Sequence, residues 1–318
     1  MKKKSVYLNA FNLQHTDEEV ASALIKDGIL VITSLPIETE FPFSSLVLSA
    51  NLDMFSDGCL LLEAQVGAGD EWSRFYKLGL LSDLFKQSFP PQADSWGRVF
   101  VDELRLKRPA NKFRYRLCIE GDVSLRLLAS CGLREPFEYE EKKAARLPAG
   151  SLNIPIWPIS QKEQPWEEKN RICSPVSLYM ALHALGRPVG LRSTMHEVYD
   201  PSANIFGNWV FNTAFAAEQG TESFVRRFSS LTELKKYCTK KSLVVASIAY
   251  KAGELPNAAQ PQTKGHLVVI HGWKKGRVLV ADPAAPTASE VLREYDAKSF
   301  ARAWLHNKGG AAYVIQIP

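Results

Sequence analysis

Gly265-His266-Leu267-Val268-Val269-Ile270-His271-Gly272-Trp273 runs into the turn Lys274-Lys275-Gly276 and returns as Arg277-Val278-Leu279-Val280-Ala281-Asp282. Two aliphatic runs flanking a Gly-containing turn read as an antiparallel hairpin. Its register is the sharp question. If His266 lies opposite Asp282, or is offset from it by two residues, the two side chains share a face and can interact. An offset of one residue sends them to opposite faces. His271 is the rival titratable group, out of phase with His266 along the strand and so expected on the other face.

A cysteine gives this hairpin chemical meaning. In Arg171-Ile172-Cys173-Ser174-Pro175-Val176-Ser177, Pro175 suits the first position of a helix, and Gly186 followed by Pro188 supplies its stop. Cys173 therefore falls at or just before a helix N-terminus, where the dipole favours thiolate, the nucleophilic form, over thiol. Cys173, His266 and Asp282 are then the parts of a nucleophile, its base and the carboxylate that orients the base. The competing reading is a small buried cysteine, a satisfied polar histidine and an Asp-Pro turn. His183, ten residues beyond Cys173 in the helix, is expected to pack or face solvent.

Size and composition bound the rest. A chain of 318 residues accommodates two domains, each with its own core. A hydrophobic content of 46% and a charged content of 23% are those of a soluble globular protein. The net charge of +5 is mild, and its basic residues are scattered as pairs such as Arg226-Arg227 and Lys240-Lys241. The densest run, Lys107 to Arg116, alternates with apolar residues like the solvent face of a strand, so a nucleic-acid partner is not expected. Met1-Lys2-Lys3-Lys4 resembles the start of a secretion signal. Asn9, Asn12, Gln14 and Asp17-Glu18-Glu19 interrupt the apolar stretch such a signal needs, so a cytoplasmic location is the expectation. No apolar run is long enough for membrane insertion. Five cysteines without CxxC pairs imply neither a disulfide framework nor a zinc cage.

Along the chain, the first ~135 residues read as about seven short strands separated by turns. The strand segments are Leu30 to Ser34, Ser45 to Ser49, Cys59 to Val66, Arg74 to Leu80, Arg98 to Leu106, Phe113 to Ile119 and Leu125 to Ala129. Ser56-Asp57-Gly58 and Glu120-Gly121-Asp122 are among the turns, and Glu18 to Lys26 reads as a short leading helix. This pattern predicts an antiparallel β-sandwich over residues 1–140. Trp72, Phe75, Tyr76 and Trp96 are its possible ligand-stacking aromatics. The pattern dissolves between Pro136 and Ile154, where the domain boundary is placed. Residues 151–318 carry helices at Pro175 to Leu185, Phe211 to Gln219 and Leu231 to Lys240. Strands follow at Leu243 to Tyr250, His266 to Trp273, Arg277 to Asp282 and Ala312 to Gln316, an α+β order.

Acyl transfer by a thiolate needs donors for the developing oxyanion. The backbone N–H of Cys173 can be one, and Gln161 or Gln164 upstream the other.

Six segments in order then carry a resemblance. They are Ile159-Ser160-Gln161, Cys173 to Ser177, Gly207-Asn208-Trp209-Val210-Phe211-Asn212-Thr213-Ala214, Val245 to Ile248 with Ala252-Gly253-Glu254-Leu255, Gly265 to Val269, and Ala281-Asp282-Pro283-Ala284-Ala285-Pro286. From about Leu152 to Pro318 the chain resembles papain-fold cysteine peptidases related to the double-glycine-leader, or bacteriocin-processing, peptidases, and most closely their stand-alone bacterial branch. The resemblance implies Cys173 as nucleophile, His266 as base and acid, Asp282 as orienter and Gln161, in preference to Gln164, as oxyanion donor. Asn208, Trp209 and Asn212 would be structural or cleft-lining. Cys173-Ser174 departs from the Cys-Gly of leader-processing relatives, and no transporter segment or phosphate-binding loop accompanies it, so leader removal is not carried over.

The expected activity is hydrolysis of a peptide or protein substrate, with no metal or organic cofactor. Acyl transfer to an amine uses the same parts. The alternative from another class is a peptide- or glycan-binding protein with a silent papain-like half. The sequence leaves the oligomeric state open.

Overall fold

Alternation of apolar and polar side chains, clearest from Phe113 to Ile119, favours strands in the first part of the chain, because strands point successive residues to opposite faces. The computed structural model describes residues 9–82 and 84–318, with the side chains of Phe55 and Ser56 left aside; Met1-Lys2-Lys3-Lys4 lies outside this range. Among the described residues the first sheet has nine strands: β1 (Ala10–His15), β2 (Val20–Lys26), β3 (Ile29–Ser34), β4 (Ile37–Ala68), β5 (Glu71–Trp72), β6 (Tyr76–Ser82), β7 (Lys86–Gln87), β8 (Gly97–Phe100) and β9 (Glu103–Arg134).

Two departures from the sequence reading stand out. Glu18 to Lys26 is not a helix. Only Asp17–Glu19 makes a helical turn, and Val20–Lys26 is a strand paired with β3, its mostly exposed face giving no apolar alternation to read. The short strands also fuse, since β4 and β9 each run for 32 residues. Ser56-Asp57-Gly58 and Glu120-Gly121-Asp122 break the regular pairing as a facing pair of irregularities and do not end the strands. Phe55 pairs with Asp122, Cys59 with Glu120, and Asp57 and Gly121 take positive φ between them. A Cβ on Gly58 would lie 2.8 Å from the Asp122 carbonyl oxygen, so the close approach there requires glycine.

β4 and β9 flank each other twice. Ser45 pairs with both Leu133 and Arg105, while β9 has Ile37 on one side of Phe113 and Val66 on the other. Apolar residues from both arms, including Phe43, Leu46, Leu60, Leu62 and Phe113, meet in one core. The outward side of β9 carries the Lys107–Arg116 cations as anticipated, and they lie over the aromatic rings: Arg108 is 3.6 Å from Trp96, Arg116 4.0 Å from Phe75, and Lys112 4.7 Å from Trp72.

Along the chain, β9 is followed by α1 (Glu141–Ala144) and β10 (Leu152–Asn153). The second half holds α2 (Cys173–Ala184), α3 (Leu191–Val198), α4 (Trp209–Glu218), β11 (Glu222–Arg227), α5 (Leu234–Tyr237), β12 (Ser242–Tyr250), β13 (Thr263–Lys274), β14 (Arg277–Ala281), β15 (Leu292–Asp296), α6 (Ala297–Ala301) and β16 (Ala311–Gln316). Its antiparallel sheet runs β11-β16-β12-β13-β14-β15, with β10 added to β13. The expected helix at Leu231 to Lys240 shrinks to a 3-10 turn and one α-turn, ending before Lys240. α2 is buried almost all round, Val176, Leu178, Met180, Ala181 and Leu182 being inaccessible, as befits a central helix packed on a sheet. It stops in a Schellman motif: Gly186 takes φ +71°, its N–H reaches the His183 carbonyl, and that of Arg187 reaches Leu182.

The β13–β14 hairpin is irregular where it matters most. Near its turn Trp273 pairs with Val278 and Gly272 with Leu279, but farther on Ile270 pairs with Val280 and Val269 with Ala281. His271 is the extra residue of a β-bulge. Its carbonyl accepts the N–H of Ile154 at 2.8 Å and its Nδ1 lies 3.0 Å from the Ile154 carbonyl, so the chain just after β10 clasps the bulge. Gly272 lets Leu152 approach, because a Cβ there would stand 2.0 Å from the Leu152 carbonyl oxygen. Gly272→Ala is therefore expected to destabilise the protein by at least about 3 kcal/mol, the upper end for overpacking. Urea unfolding of the two proteins checks this, and unchanged stability would refute the constraint.

Candidate active site

α2 begins at Cys173, two residues earlier than Pro175 alone indicates. Ile172 is its N-cap, and the first intrahelical bond is Val176 N–H to the Ile172 carbonyl at 3.1 Å. Pro175 thus occupies the third helical position, still within the turn whose N–H groups have no intrahelical acceptor. The N–H groups of Cys173 and Ser174 point out of the helix start. One turn along the same face, the Ser177 hydroxyl donates to the Leu267 carbonyl at 2.9 Å, fixing the helix against β13 beside His266.

The bulge settles the parity of the hairpin. Continuing the Val269–Ala281 register puts Asp282 two residues from His266 on one face, and their side chains meet with Nε2 2.7 Å from Oδ1. Both are buried, His266 at 2% exposure and Asp282 at 0%. Two further donors hold the carboxylate: the Tyr295 hydroxyl to Oδ2 at 2.7 Å and the Ala284 N–H to Oδ1 at 3.0 Å. With Nε2 on Asp282, Nδ1 is the ring nitrogen left for the thiol, and Cys173 and His266 shift each other's protonation. His271 belongs to the bulge and His183 to the end of α2, where it bonds Val189 and stacks on Tyr179.

The electrostatics follow from these contacts. Burial works against a Cys173 thiolate, but the hydrogen bond and charge of His266, then the Leu267 N–H, outweigh it and lower the thiol below its ordinary range. Burial likewise opposes the imidazolium, yet Asp282, by charge and hydrogen bond, and then Cys173 raise His266 to about 10. Asp282, despite burial, is held low by His266 and Tyr295. The four other thiols all move the opposite way. Burial is the leading cause in each, taking Cys131 and Cys238 up to about 12 and raising Cys59 and Cys118, where nearby glutamates add to it.

Gln161 is buried at 3% exposure and belongs to the same assembly without touching the thiol. Its N–H donates to the Pro283 carbonyl at 2.9 Å, and the Ser160 hydroxyl to that of Ala285 at 2.5 Å, so this segment is tied to the turn after Asp282. Its amide Nε2 donates one hydrogen to the Lys169 carbonyl at 2.8 Å. The second hydrogen is uncommitted, and Oε1 has no partner. Gln164 turns back onto the Ser160 carbonyl.

Asn208 and Asn212 organise the opposite wall. Asn208 caps α4 through Phe211 N–H and donates to Asp200 at 3.0 Å. Asn212 donates to the Phe206 and Asn208 carbonyls and accepts the Ser174 hydroxyl at 2.9 Å, which also contacts Tyr313. Trp209 lines the cleft, and its N–H donates to Asp102, a residue of the β8–β9 turn. The cleft encloses about 320 Å³ beside Cys173, between Phe206, Gly207 and Trp209 on one side and Gly265 and Leu267 on the other. Sequence reasoning missed Tyr295, Ser177 and Lys308. Tyr295 has no local signal, since only the pairing of β15 with β14 brings it to Asp282. Ser177 shows one, a hydroxyl four residues after the cysteine, one turn along the same helix face. Among the described residues, no group of three or more His, Cys, Asp or Glu is placed to hold a metal ion. No helix among them is long and apolar enough to cross a membrane.

Limiting iodoacetamide at pH 7 is expected to alkylate Cys173 ahead of the other four cysteines, and His266→Ala to slow that labelling about tenfold or more. Peptide mapping by mass spectrometry reads both. Equal labelling of Cys59 and Cys173 would contradict the depressed thiol.

No curated protein matches the chain. Two solved structures resemble it at low overall similarity. A double glycine motif protease from an AMS/PCAT transporter, in complex with the leader peptide, is 18% identical with a TM-score of 0.38, covering 54% of this chain and 97% of its own. A candidate C39-like peptidase from Bacillus anthracis is 15% identical with a TM-score of 0.40, covering 53% of this chain and 98% of its own. The profile of the Peptidase_C39 like family matches residues 153–312, half of the chain, which takes in every element of the cleft from Gln161 to Lys308, and the chain belongs to that family.

Proposed function

We propose that the protein is a cysteine peptidase or amidase whose working groups are Cys173, His266, Asp282 and Gln161. The observation that carries this reading is the buried 2.7 Å contact between His266 Nε2 and Asp282, which turns the rest of the imidazole to a thiol at a helix start. The Cys173 sulfur attacks the scissile carbonyl carbon, and the oxygen takes up the electron pair. The N–H of Cys173 and the free hydrogen of the Gln161 amide are suited to stabilise that oxygen. His266 then gives its proton to the leaving nitrogen as the C–N bond breaks, leaving a thioester. It next takes a proton from the attacking water, and the thioester collapses to the acid, restoring the Cys173 thiolate beside a protonated His266. Asp282 keeps the imidazole in the required tautomer throughout.

In this reading residues 151–318 form a papain-like α+β domain and residues 1–140 a β-sandwich in which β4 and β9 pass between both layers. A stacking role for the aromatics of the first half finds less support. Tyr76 is fully buried, and the rings of Trp72, Phe75 and Trp96 are already covered by lysine or arginine side chains.

A peptide-library digest read by mass spectrometry should yield defined cleavages that vanish with Cys173→Ala while the fold, followed by circular dichroism, persists. Identical digests would end the proposal. On a cleaved peptide, Gln161→Ala should lower kcat by about 10²–10³-fold, the cost of one oxyanion donor. The pH profile of kcat/KM should be a bell. Its acid limb belongs to the lowered thiol and its alkaline limb, near 10, to deprotonation of His266. Asp282→Asn removes the charge that raises His266, so the alkaline limb should move down by about 1–3 pH units. An unmoved limb would exclude Asp282 from that role.

A further inference from the structure

One cation in the cleft is left unused by the chemistry above. Lys308 lines the wall beside Cys173, and the space over Gly265, the residue before His266, holds its ammonium: a Cβ built on Gly265 would have Lys308 Nζ, 3.9 Å away, as its sole near neighbour. That ammonium makes no hydrogen bond or ion pair among the described residues. The cleft's other cation, Arg171, is already engaged. Its guanidinium donates to the backbone carbonyl and side-chain oxygen of Asn204 and lies over Phe206.

The backbone that presents Lys308 is held rigidly. Its N–H donates to the Trp304 carbonyl at 3.2 Å, and its own carbonyl accepts Arg227 at 3.2 Å. Gly309 and Gly310 follow with φ of +55° and +67°, and a Cβ on Gly310 would fall 1.8 Å from the Phe228 carbonyl oxygen, so the turn cannot relax. Behind it, Arg105 and Arg227 share the carboxylate of Glu103, and Asp102 is pushed up to about 7 by burial, so the cations outnumber the anions. Burial, opposed by Glu103 and reinforced by Arg105 and Arg227, lowers Lys308 itself. A carboxylate arriving in the cleft would supply the missing counter-charge.

We infer that Lys308 is a specificity-determining residue that selects substrates with an acidic side chain, aspartate or glutamate, within two residues of the scissile amide. This rests on the peptidase reading above and adds the substrate class. The glycine at 265 leaves room for that side chain, and the ammonium receives its carboxylate.

Internally quenched peptides built on a sequence the enzyme cleaves test this, with Glu, Gln or Lys set in turn at each of the two positions on either side of the scissile bond. At one position Glu should exceed Gln in kcat/KM by about 10- to 100-fold, the range of a hydrogen bond to a charged group. Lys should be worst there. Lys308→Glu should reverse the order at that position. A purely structural lysine would not exchange the charge preference. Equal rates for Glu, Gln and Lys at all four positions in the wild type overturn the inference while leaving a working peptidase. Absence of any Cys173-dependent cleavage overturns the peptidase reading and the inference together. Should Lys308→Glu not fold, the wild-type series alone decides.

Discussion

One extra residue in β13 is the constraint on which the site depends. Had the pairing set near the turn, Gly272 with Leu279 and Trp273 with Val278, continued unbroken, Asp282 would face Val269. That is three residues from His266, and an odd offset puts two side chains on opposite faces of a sheet. The bulge at His271 advances the register by one and returns them to the same face. Bulges of this kind re-aim side chains next to active sites, and here the device is secured from outside the hairpin. Ile154 bonds the bulged residue through both its backbone groups, and the missing side chain at Gly272 admits Leu152. The chain entering the second half therefore does more than connect, because it stabilises the irregularity that brings the histidine to the carboxylate.

A carboxylate with no solvent exposure is costly unless its lone pairs are satisfied. Asp282 meets that demand with an imidazole, a phenol and a backbone N–H. The arrangement is self-consistent. The same partners that make burial tolerable orient the imidazole, and the raised His266 in turn favours the Cys173 thiolate. Removing one partner would leave a buried charge short of a donor, at a cost of about 3–5 kcal/mol for a broken buried pair. The site is thus a stabilised network whose positions are set by the fold itself.

Much of this was legible in the residues themselves. The aliphatic runs of β12, β13, β14 and β16 and the Gly186 stop carry strong local signals, and they placed Cys173, His266 and Asp282 in the right elements. Parity narrowed the hairpin to two workable registers and one fatal one, but could not choose, because a bulge has no sequence signature stronger than the glycine beside it. Tyr295 was invisible because its partner is set by tertiary pairing. In the first half, the turn signals at Gly58 and Gly121 were real but their meaning was not local: each is a kink in a long strand, relaxed by the other. Glu18 to Lys26 misled because an exposed strand needs no apolar alternation, and tertiary pairing overrides its local pattern.

The two halves are joined by charge as much as by packing. Val210, Phe211, Ala214 and Val225, from the second half, lie within the core of the first sheet. The β8–β9 turn, with Val101 at φ +59°, a conformation β-branched residues rarely tolerate, carries Asp102 and Glu103 into the seam. Asp102 accepts the N–H of Trp209, and Glu103 pairs with Arg227, whose guanidinium also holds the carbonyls of Lys308 and Gly309. Trp209 and Lys308 are cleft residues. Two adjacent carboxylates of the first half therefore hold down opposite walls of the groove in the second, and a displacement of that turn would be felt first at the groove and only later in the buried histidine–aspartate pair. In the proposed reading such a geometry separates what is kept constant, the histidine–aspartate pair and the thiol at the helix start, from what can be adjusted, the walls of the groove.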